Sequence, residues 1–128
     1  VIWGGIAAAT VTELNFTVPT TYLNTGAVYN SAGNAWTTMT TTGAPSARAG
    51  HTAVTDGASV YIWGGQNLLS FLSTGGVFNV AGGTWSSIST DSNIPSPRSG
   101  HSAIWDGTNM YIWGGRINTT HTNTGGKF

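Results

Sequence analysis

The fold is decided by the stretch SARAGHTAVTDGASVYIWGG at residues 46–65, which returns fifty positions later as SPRSGHSAIWDGTNMYIWGG at residues 96–115. Twelve of the twenty aligned positions are identical. An earlier copy of the pattern is visible in IWGG at residues 2–5 and TGAVYN at residues 25–30. Self-similarity at a fixed period is the signature of a repeat architecture, so we predict structural units of about 50 residues.

The repeat carries the pattern of short β-strands that are covered on both faces. In VYIW at residues 60–63, successive side chains point to opposite faces, so valine and isoleucine share one face and tyrosine and tryptophan share the other. A sheet with one solvated face alternates polar and apolar residues, whereas both faces of this strand are apolar. Small four-stranded sheets stacked face to face around an axis cover such strands, which predicts the blades of a β-propeller.

Turn residues separate the predicted strands. Asp56-Gly57 and Asp106-Gly107 supply the residues that tight hairpins require. No segment has a helical pattern. The complete unit is predicted to hold four antiparallel strands, at residues 51–55, 60–63, 75–80 and 85–89.

The spacing of these residues is similar to that of the kelch repeat. A double glycine at residues 64–65 is followed thirteen positions later by Phe78 and seven positions beyond that by Trp85, and Tyr29 and Trp36 are again seven apart. The segments RAGH at 48–51 and RSGH at 98–101 match the start of a kelch first strand. The resemblance implies an all-β fold, a partial kelch-type β-propeller of four-stranded antiparallel blades.

The repeat divides the chain into two and a half blades. We expect a partial blade at residues 1–45 with an inserted loop at 6–24, a complete blade at 46–95 and a partial blade at 96–128, or ten strands in all. Since a propeller closes with about four to eight blades, the 128 residues should not form a closed ring. We therefore expect either a segment of a longer protein or an assembly that completes the ring.

Composition excludes several classes of function. Only 6% of the residues are charged, with four basic and four acidic side chains, so the chain cannot present the cationic face that nucleic acid requires. Its longest apolar runs are far below the roughly 20 residues of a membrane helix, so no membrane insertion is expected. Thr and Ser contribute 33 residues and Lys contributes one, a balance that favours an extracellular or cell-surface location.

Six side chains recur from unit to unit and are predicted to build the blades. The pairs Arg48/His51 and Arg98/His101 invite a catalytic or phosphate-binding interpretation. Because a residue present once per blade is more simply a structural part, we predict that these arginines and histidines satisfy backbone carbonyls or acids where the first strand begins. Trp36 and Trp85 are predicted to pack the blades.

Binding candidates are expected on one rim of the propeller. The connections from strand two to strand three and from strand four to the next blade leave the same face, where the scaffold presents loops that usually bind ligands. The candidates are Glu13, Phe16 and Tyr22 in the inserted loop and the non-recurring Trp105, Arg116 and His121. Alternatively, the inserted loop is a flap that covers the neighbouring blade or a partner chain, and the other three residues reflect ordinary sequence variation in loops.

No cofactor or metal site is predicted. Three histidines without close spacing give no zinc motif, and there is no cysteine for the Cys–Tyr crosslink that galactose-oxidase-like kelch enzymes use. AGGTW at residues 81–85 is similar to a sialidase Asp-box, but Val80 stands where the aspartate should be. Asn15 and Asn118 match the N-glycosylation pattern.

These observations lead to three hypotheses about function. The first is a noncatalytic binding or assembly scaffold for a protein or glycan partner, since no acid/base or nucleophile–base pair is evident. The second is the scaffold portion of a larger secreted kelch-type enzyme whose catalytic residues lie elsewhere. The third is a structural unit of an extracellular appendage. Besides a protein or glycan, the partners considered are further blades of the same propeller, other copies of the chain in a homo-oligomer, and a filament.

Overall fold

A computed structural model describes residues 1–7, 21–88 and 94–128 of the chain. All regular secondary structure in these residues is β-strand, and no described segment forms a helix long and apolar enough to cross a membrane. The predicted fold class is confirmed. In chain order the strands are β1 (Ile2–Trp3), β2 (Ile6–Ala7), β3 (Thr21–Tyr22), β4 (Gly26–Asn30), β5 (Ala35–Thr38), β6 (Thr52–Thr55), β7 (Ser59–Trp63), β8 (Gly75–Asn79), β9 (Thr84–Ser87), β10 (Ser102–Trp105), β11 (Met110–Trp113), β12 (Arg116–Ile117), β13 (Thr120–His121) and β14 (Gly125–Lys127).

The second unit, residues 46–95, contains a four-stranded antiparallel sheet in the order β6-β7-β8-β9. Its strands lie within one or two residues of the predicted bounds. In the first hairpin, Asp56 Oδ1 accepts hydrogen bonds from the backbone N–H groups of Ala58 at 2.9 Å and Ser59 at 2.7 Å. This Asx turn, followed by Gly57 with a φ of 98°, reverses the chain as the Asp-Gly pair predicted.

The first and third units each contain a three-stranded sheet. The first has the order β1-β4-β5, which corresponds to strands two, three and four of the second unit. The third has the order β10-β11-β14, which corresponds to strands one, two and three. All ten predicted strands are therefore present.

The three sheets pack face to face, and strand β7 lies between two cores. The Ile62 face packs with the first unit in a cluster that contains Trp3, Met39 and Phe78. The Trp63 face packs in a second cluster, to which the third unit contributes Met110 and Ile112. The expectation that this strand is covered on both sides is confirmed.

A feature missed by the sequence analysis is a small hairpin in each connection from strand two to strand three. Strands β2 and β3 pair in the first unit, and β12 and β13 pair in the third. In the second unit a single bridge joins Gln66 to Phe71. The pairs Ile6/Tyr22, Gln66/Phe71 and Arg116/His121 occupy the same position, so the three hairpins lie on one rim of the stacked sheets.

Candidate functional site

The recurring arginines are buried and use their hydrogen-bond donors within the fold. Arg48 is 1% exposed, and its guanidinium donates to the carbonyls of Ser46 at 2.9 Å, Gly64 at 3.0 Å and Thr74 at 2.6 Å, and to the hydroxyls of Ser46 and Thr74. A guanidinium has five N–H donors, so none is left for a ligand. Arg98, also 1% exposed, makes the same five bonds one unit later, with Ser96, Gly114 and Thr124.

The recurring histidines lie between the sheets. His51 packs edge-on against Trp3 with ring centroids 5.3 Å apart, and His101 packs against Trp63 in the same way at 5.1 Å. Burial, together with the positive charge of Arg98, lowers the pKa of His101 to about 4. Burial and Arg48 lower the pKa of His51 in the same direction. Both rings are therefore neutral near pH 7 and belong to the packing between units.

The two predicted packing tryptophans differ in their surroundings. Trp85 is half-buried between Phe78 and Trp3, with centroids 5.1 and 5.5 Å away, and its indole N–H donates to the Thr40 carbonyl at 2.9 Å. Trp36 is exposed and lies 5.0 Å from the ring of Tyr29. Only Trp85 has another unit packed over it in the described part of the chain.

A cavity of about 540 Å³ lies on the rim that carries the small hairpins. Side chains and backbone from all three units line it. Its polar lining differs from unit to unit, with an amide, hydroxyls, an imidazole and a guanidinium. The lining includes Ile6, Gln66, Ser99, Arg116, His121 and Thr122.

Backbone hydrogen bonds fix the walls of this rim cavity. Gln66 exchanges both backbone hydrogen bonds with Ala49, at 2.8 and 3.0 Å, and Arg116 does the same with Ser99, at 2.9 and 3.1 Å. The Ser99 hydroxyl donates to the Gln66 side-chain carbonyl at 3.2 Å and so joins the second and third units. Because these bonds tie the hairpins to the starts of the first strands, the lining residues are held on rigid parts of the fold.

Arg116 places a positive charge at the mouth of the rim cavity. Its guanidinium carbon lies 5.8 Å from the centroid of the Phe71 ring, a cation–π distance. The described carboxylates, Asp56 and Asp106, lie in turns at the other end of the strands. Hydrogen bonds from the Ser59 backbone and the Tyr61 hydroxyl lower the pKa of Asp56, which is thus engaged locally. Within residues 1–7, 21–88 and 94–128, this rim therefore carries cationic and neutral polar groups.

The structure brings together some of the predicted binding candidates. Arg116 and His121 both line the rim cavity, and they pair with each other across the hairpin β12/β13. Tyr22 is half-buried in β3 and pairs with Ile6, which lines the cavity. Glu13 and Phe16, like Asn15, lie outside the described residues.

Trp105 is not part of this rim. It ends strand β10, which runs away from the rim, and its ring stacks on Tyr61 with centroids 4.8 Å apart and an interplanar angle of 20°. The residue therefore packs the second unit against the third at the opposite end of the strands. Its lack of recurrence reflects a local packing difference at that interface.

Sequence reasoning missed Gln66, Ser99 and two exposed leucines, Leu68 and Leu69. Gln66 occupies the same hairpin position as Arg116, and this correspondence was the available signal. The leucines lie at the tip of the second hairpin, where the third unit has Asn118 and Thr119. The available signal for that surface was the presence of two adjacent leucines in a turn between two predicted strands.

The rim cavity can bind a polar or anionic group through hydrogen bonds and charge. Its lining offers the Arg116 guanidinium, the Gln66 amide and the Ser99 and Thr122 hydroxyls. These donors favour recognition of a ligand that carries hydrogen-bond acceptors.

Comparison with known proteins agrees with this architecture. The family model described as the KLHDC2/KLHL20/DRC7 Kelch-repeats domain matches residues 1–125 of the chain. A search of curated proteins gave no match.

Proposed function

The chain belongs to the kelch-repeat family, and we propose that it acts as a noncatalytic scaffold that binds a protein partner at the rim cavity. The observation that carries this proposal is the contrast between two kinds of arginine. The recurring Arg48 and Arg98 are buried with their donors satisfied, whereas Arg116 is exposed at the cavity mouth and occurs in one unit alone. A residue that the repeat does not require and that lines a preformed cavity is a candidate for recognition.

A glycan partner is the second candidate, because the cavity also offers groups that bind sugars. Gln66, Ser99 and Thr122 place an amide and two hydroxyls in the lining. Such groups bind sugar hydroxyls as readily as they bind a polypeptide backbone. Binding of the chain to a protein supports the first candidate, and binding to a glycan supports the second.

We test the proposal by probing a protein array and a glycan array with the labelled chain. Two variants come from the repeat itself: R116Q introduces the residue of the equivalent position Gln66, and H121F introduces that of Phe71. Because the second unit already carries these residues, neither change should disturb the fold. K127Q removes a positive charge in β14, outside the cavity lining, and serves as the control.

The expected result is binding to specific array proteins that R116Q weakens at least tenfold and that K127Q leaves unchanged. Binding restricted to glycans would replace the protein partner by a sugar. Binding that survives both R116Q and H121F would show that the rim cavity is not the binding site.

An extracellular or cell-surface location forms part of the proposal and rests on composition alone. Thr and Ser together outnumber Lys by 33 to one. Fractionation of the source cells, with an antibody against the chain, tests it. Recovery solely from the intracellular fraction would contradict this location.

A further inference from the structure

The tip of the second hairpin presents two leucine side chains to solvent. Leu68 is 76% exposed and Leu69 is 90% exposed, which makes Leu69 the most exposed of the large apolar side chains in the described residues. We call this pair the leucine tip. Isolated surface leucines are common, but two adjacent ones at this exposure form a projecting apolar surface.

The fold does not require leucine at these positions. In the third unit the equivalent hairpin pairs Arg116 with His121 and Ile117 with Thr120, and its tip is Asn118-Thr119. A polar tip therefore closes the same connection. The leucines do not serve the hairpin geometry, and they are too exposed to serve the core.

Local hydrogen bonds hold the leucine tip in one conformation. The Asn67 side-chain carbonyl accepts from the backbone N–H groups of Leu69 and Ser70, both at 2.9 Å, and the Asn67 N–H donates to the Ser70 carbonyl at 3.0 Å. At the base, Leu72 N–H donates to the Gly65 carbonyl at 2.8 Å. A preorganised apolar projection loses little conformational entropy when it is buried, which favours its use as a binding anchor.

Among the described residues, the charged group beside the leucine tip is the cation of Arg116. The hairpin base contains Gln66, which lines the rim cavity, and Phe71, over which the Arg116 guanidinium lies at 5.8 Å. The described carboxylates lie at the other end of the strands. A complementary surface therefore combines an apolar cleft with acidic groups at its border.

We infer that the leucine tip inserts into an apolar cleft of the protein partner, with carboxylates at the border of that cleft facing Arg116. The inference rests on the proposed function and names the part of the partner that this rim recognises. A lipid surface is the other apolar environment available to such a tip. Stable attachment to anionic lipid needs a cluster of about four to eight basic residues, whereas the chain has four in total, of which Arg48 and Arg98 are buried.

The decisive variant is L68N/L69T, which gives the second hairpin the tip sequence of the third. It is compared with wild type and R116Q on the same protein array, and V80T, a change in the exposed turn between β8 and β9, is the control. Circular dichroism and thermal unfolding establish that each variant is folded. Cosedimentation with vesicles of phosphatidylcholine and phosphatidylserine at about 7:3 tests the lipid alternative.

A photo-crosslinking residue at position 69 then maps the surface that contacts the tip on a purified array-binding protein. We expect L68N/L69T to weaken binding by about tenfold to a hundredfold, V80T to leave it unchanged, and the crosslinks to fall in an apolar segment bordered by Asp or Glu. Vesicle binding lost in L68N/L69T, or crosslinks confined to a polar or basic surface, would overturn the inference.

The two proposals fail in distinguishable ways. If R116Q abolishes array binding and L68N/L69T does not change it, the inference about the leucine tip is wrong and the proposed function stands. If the wild-type chain binds no array protein, both are wrong.

Discussion

The Nε2 atom of His101 lies 2.8 Å from the hydroxyl oxygen of Thr52 and so links the third repeat unit to the second. His101 Nδ1 is buried without a partner in the described residues. A hydroxyl can donate or accept, so the neutral ring pairs with Thr52 whichever of its nitrogens carries the proton. The interface is therefore built around a neutral histidine.

This histidine predicts acid sensitivity. The pKa of His101 is about 4 in the fold and 6.5 in its ordinary state, so the unfolded chain takes up the proton first as the pH falls. The stability that the neutral ring contributes is fully present above about pH 6.5 and is lost towards pH 4, with a total of about 3 kcal/mol. Urea unfolding at intervals between pH 7 and 5 measures the first part of this loss while Asp56 and Asp106, whose pKa values are lowered, stay ionised.

The control for this prediction is a pair of glutamine variants. H101Q retains an amide N–H that can donate to Thr52 and removes the titration, so its stability should change less with pH than that of wild type. H121Q makes the same exchange at an exposed histidine on the rim and should keep the wild-type stability at pH 7. Equal pH dependence in H101Q and wild type would contradict the role assigned to His101.

The buried Arg98 predicts a large loss of stability when it is removed. R98M leaves the carbonyls of Ser96, Gly114 and Thr124 without their donor, and each hydrogen bond to a charged group contributes about 1.5–3 kcal/mol. We expect at least about 3 kcal/mol less stability in urea unfolding. R98K should recover little, because an ammonium group lacks the planar fork that reaches all three.

R116M is the matched control for R98M, since Arg116 is exposed. Its stability should stay within about 0.5 kcal/mol of wild type. A similar loss in both variants would mean that burial of the guanidinium is not what makes Arg98 important.

The sequence predicted the sheets well because their signals are local and repeat. VYIW at 60–63 is apolar on both faces, and the structure covers Ile62 from one side and Trp63 from the other. The Asp-Gly pairs predicted the first hairpin of the second and third units in the same way. Repetition also allowed strands to be predicted in the first unit, where the pattern is weakest.

The candidate site was less predictable because its geometry depends on strand direction and backbone pairing. Trp105 and Arg116 are both non-recurring, but β10 carries Trp105 away from the rim on which Arg116 lies. A two-residue strand such as β12 is too short to show a periodic pattern, so the sequence did not predict that Arg116 pairs with His121. Gln66 and Ser99 lie in the site because backbone hydrogen bonds hold them there, and amino-acid composition does not predict such bonds.

Two tryptophans at the same motif position are predicted to differ in their contribution to stability. Trp63 is 0% exposed between the second and third units, whereas Trp113 is 62% exposed. In the 128-residue chain, W63A should cost about 3–5 kcal/mol of unfolding free energy and W113A less than about 1 kcal/mol. W63F should be much milder than W63A, because it keeps an aromatic ring and removes an indole N–H that has no partner in the described residues. Thermal unfolding of the three variants measures the difference, and equal losses for W63A and W113A would contradict the packing described for Trp63.

Gly64 is predicted to be required for the approach of the third unit to the second. Its φ is 69°, and a Cβ built on it would lie 2.5 Å from His101 Cε1 and 3.0 Å from the Arg98 carbonyl oxygen. Gly83 has a similar φ of 62° with no atom within 4 Å of such a Cβ. G83A should therefore cost only the strain of a left-handed alanine, about 1–2 kcal/mol.

G64A should cost more than G83A, by about 1–3 kcal/mol for the displaced imidazole and the overpacked interface. It should also raise the solvent accessibility of Trp63, since His101 packs edge-on against that ring at 5.1 Å. Urea unfolding followed by tryptophan fluorescence reports both effects, and hydrogen exchange at β10 reports the loosened contact. If G64A and G83A lose equal stability, backbone strain accounts for both, and the close approach of His101 to Gly64 makes no contribution to holding the units together.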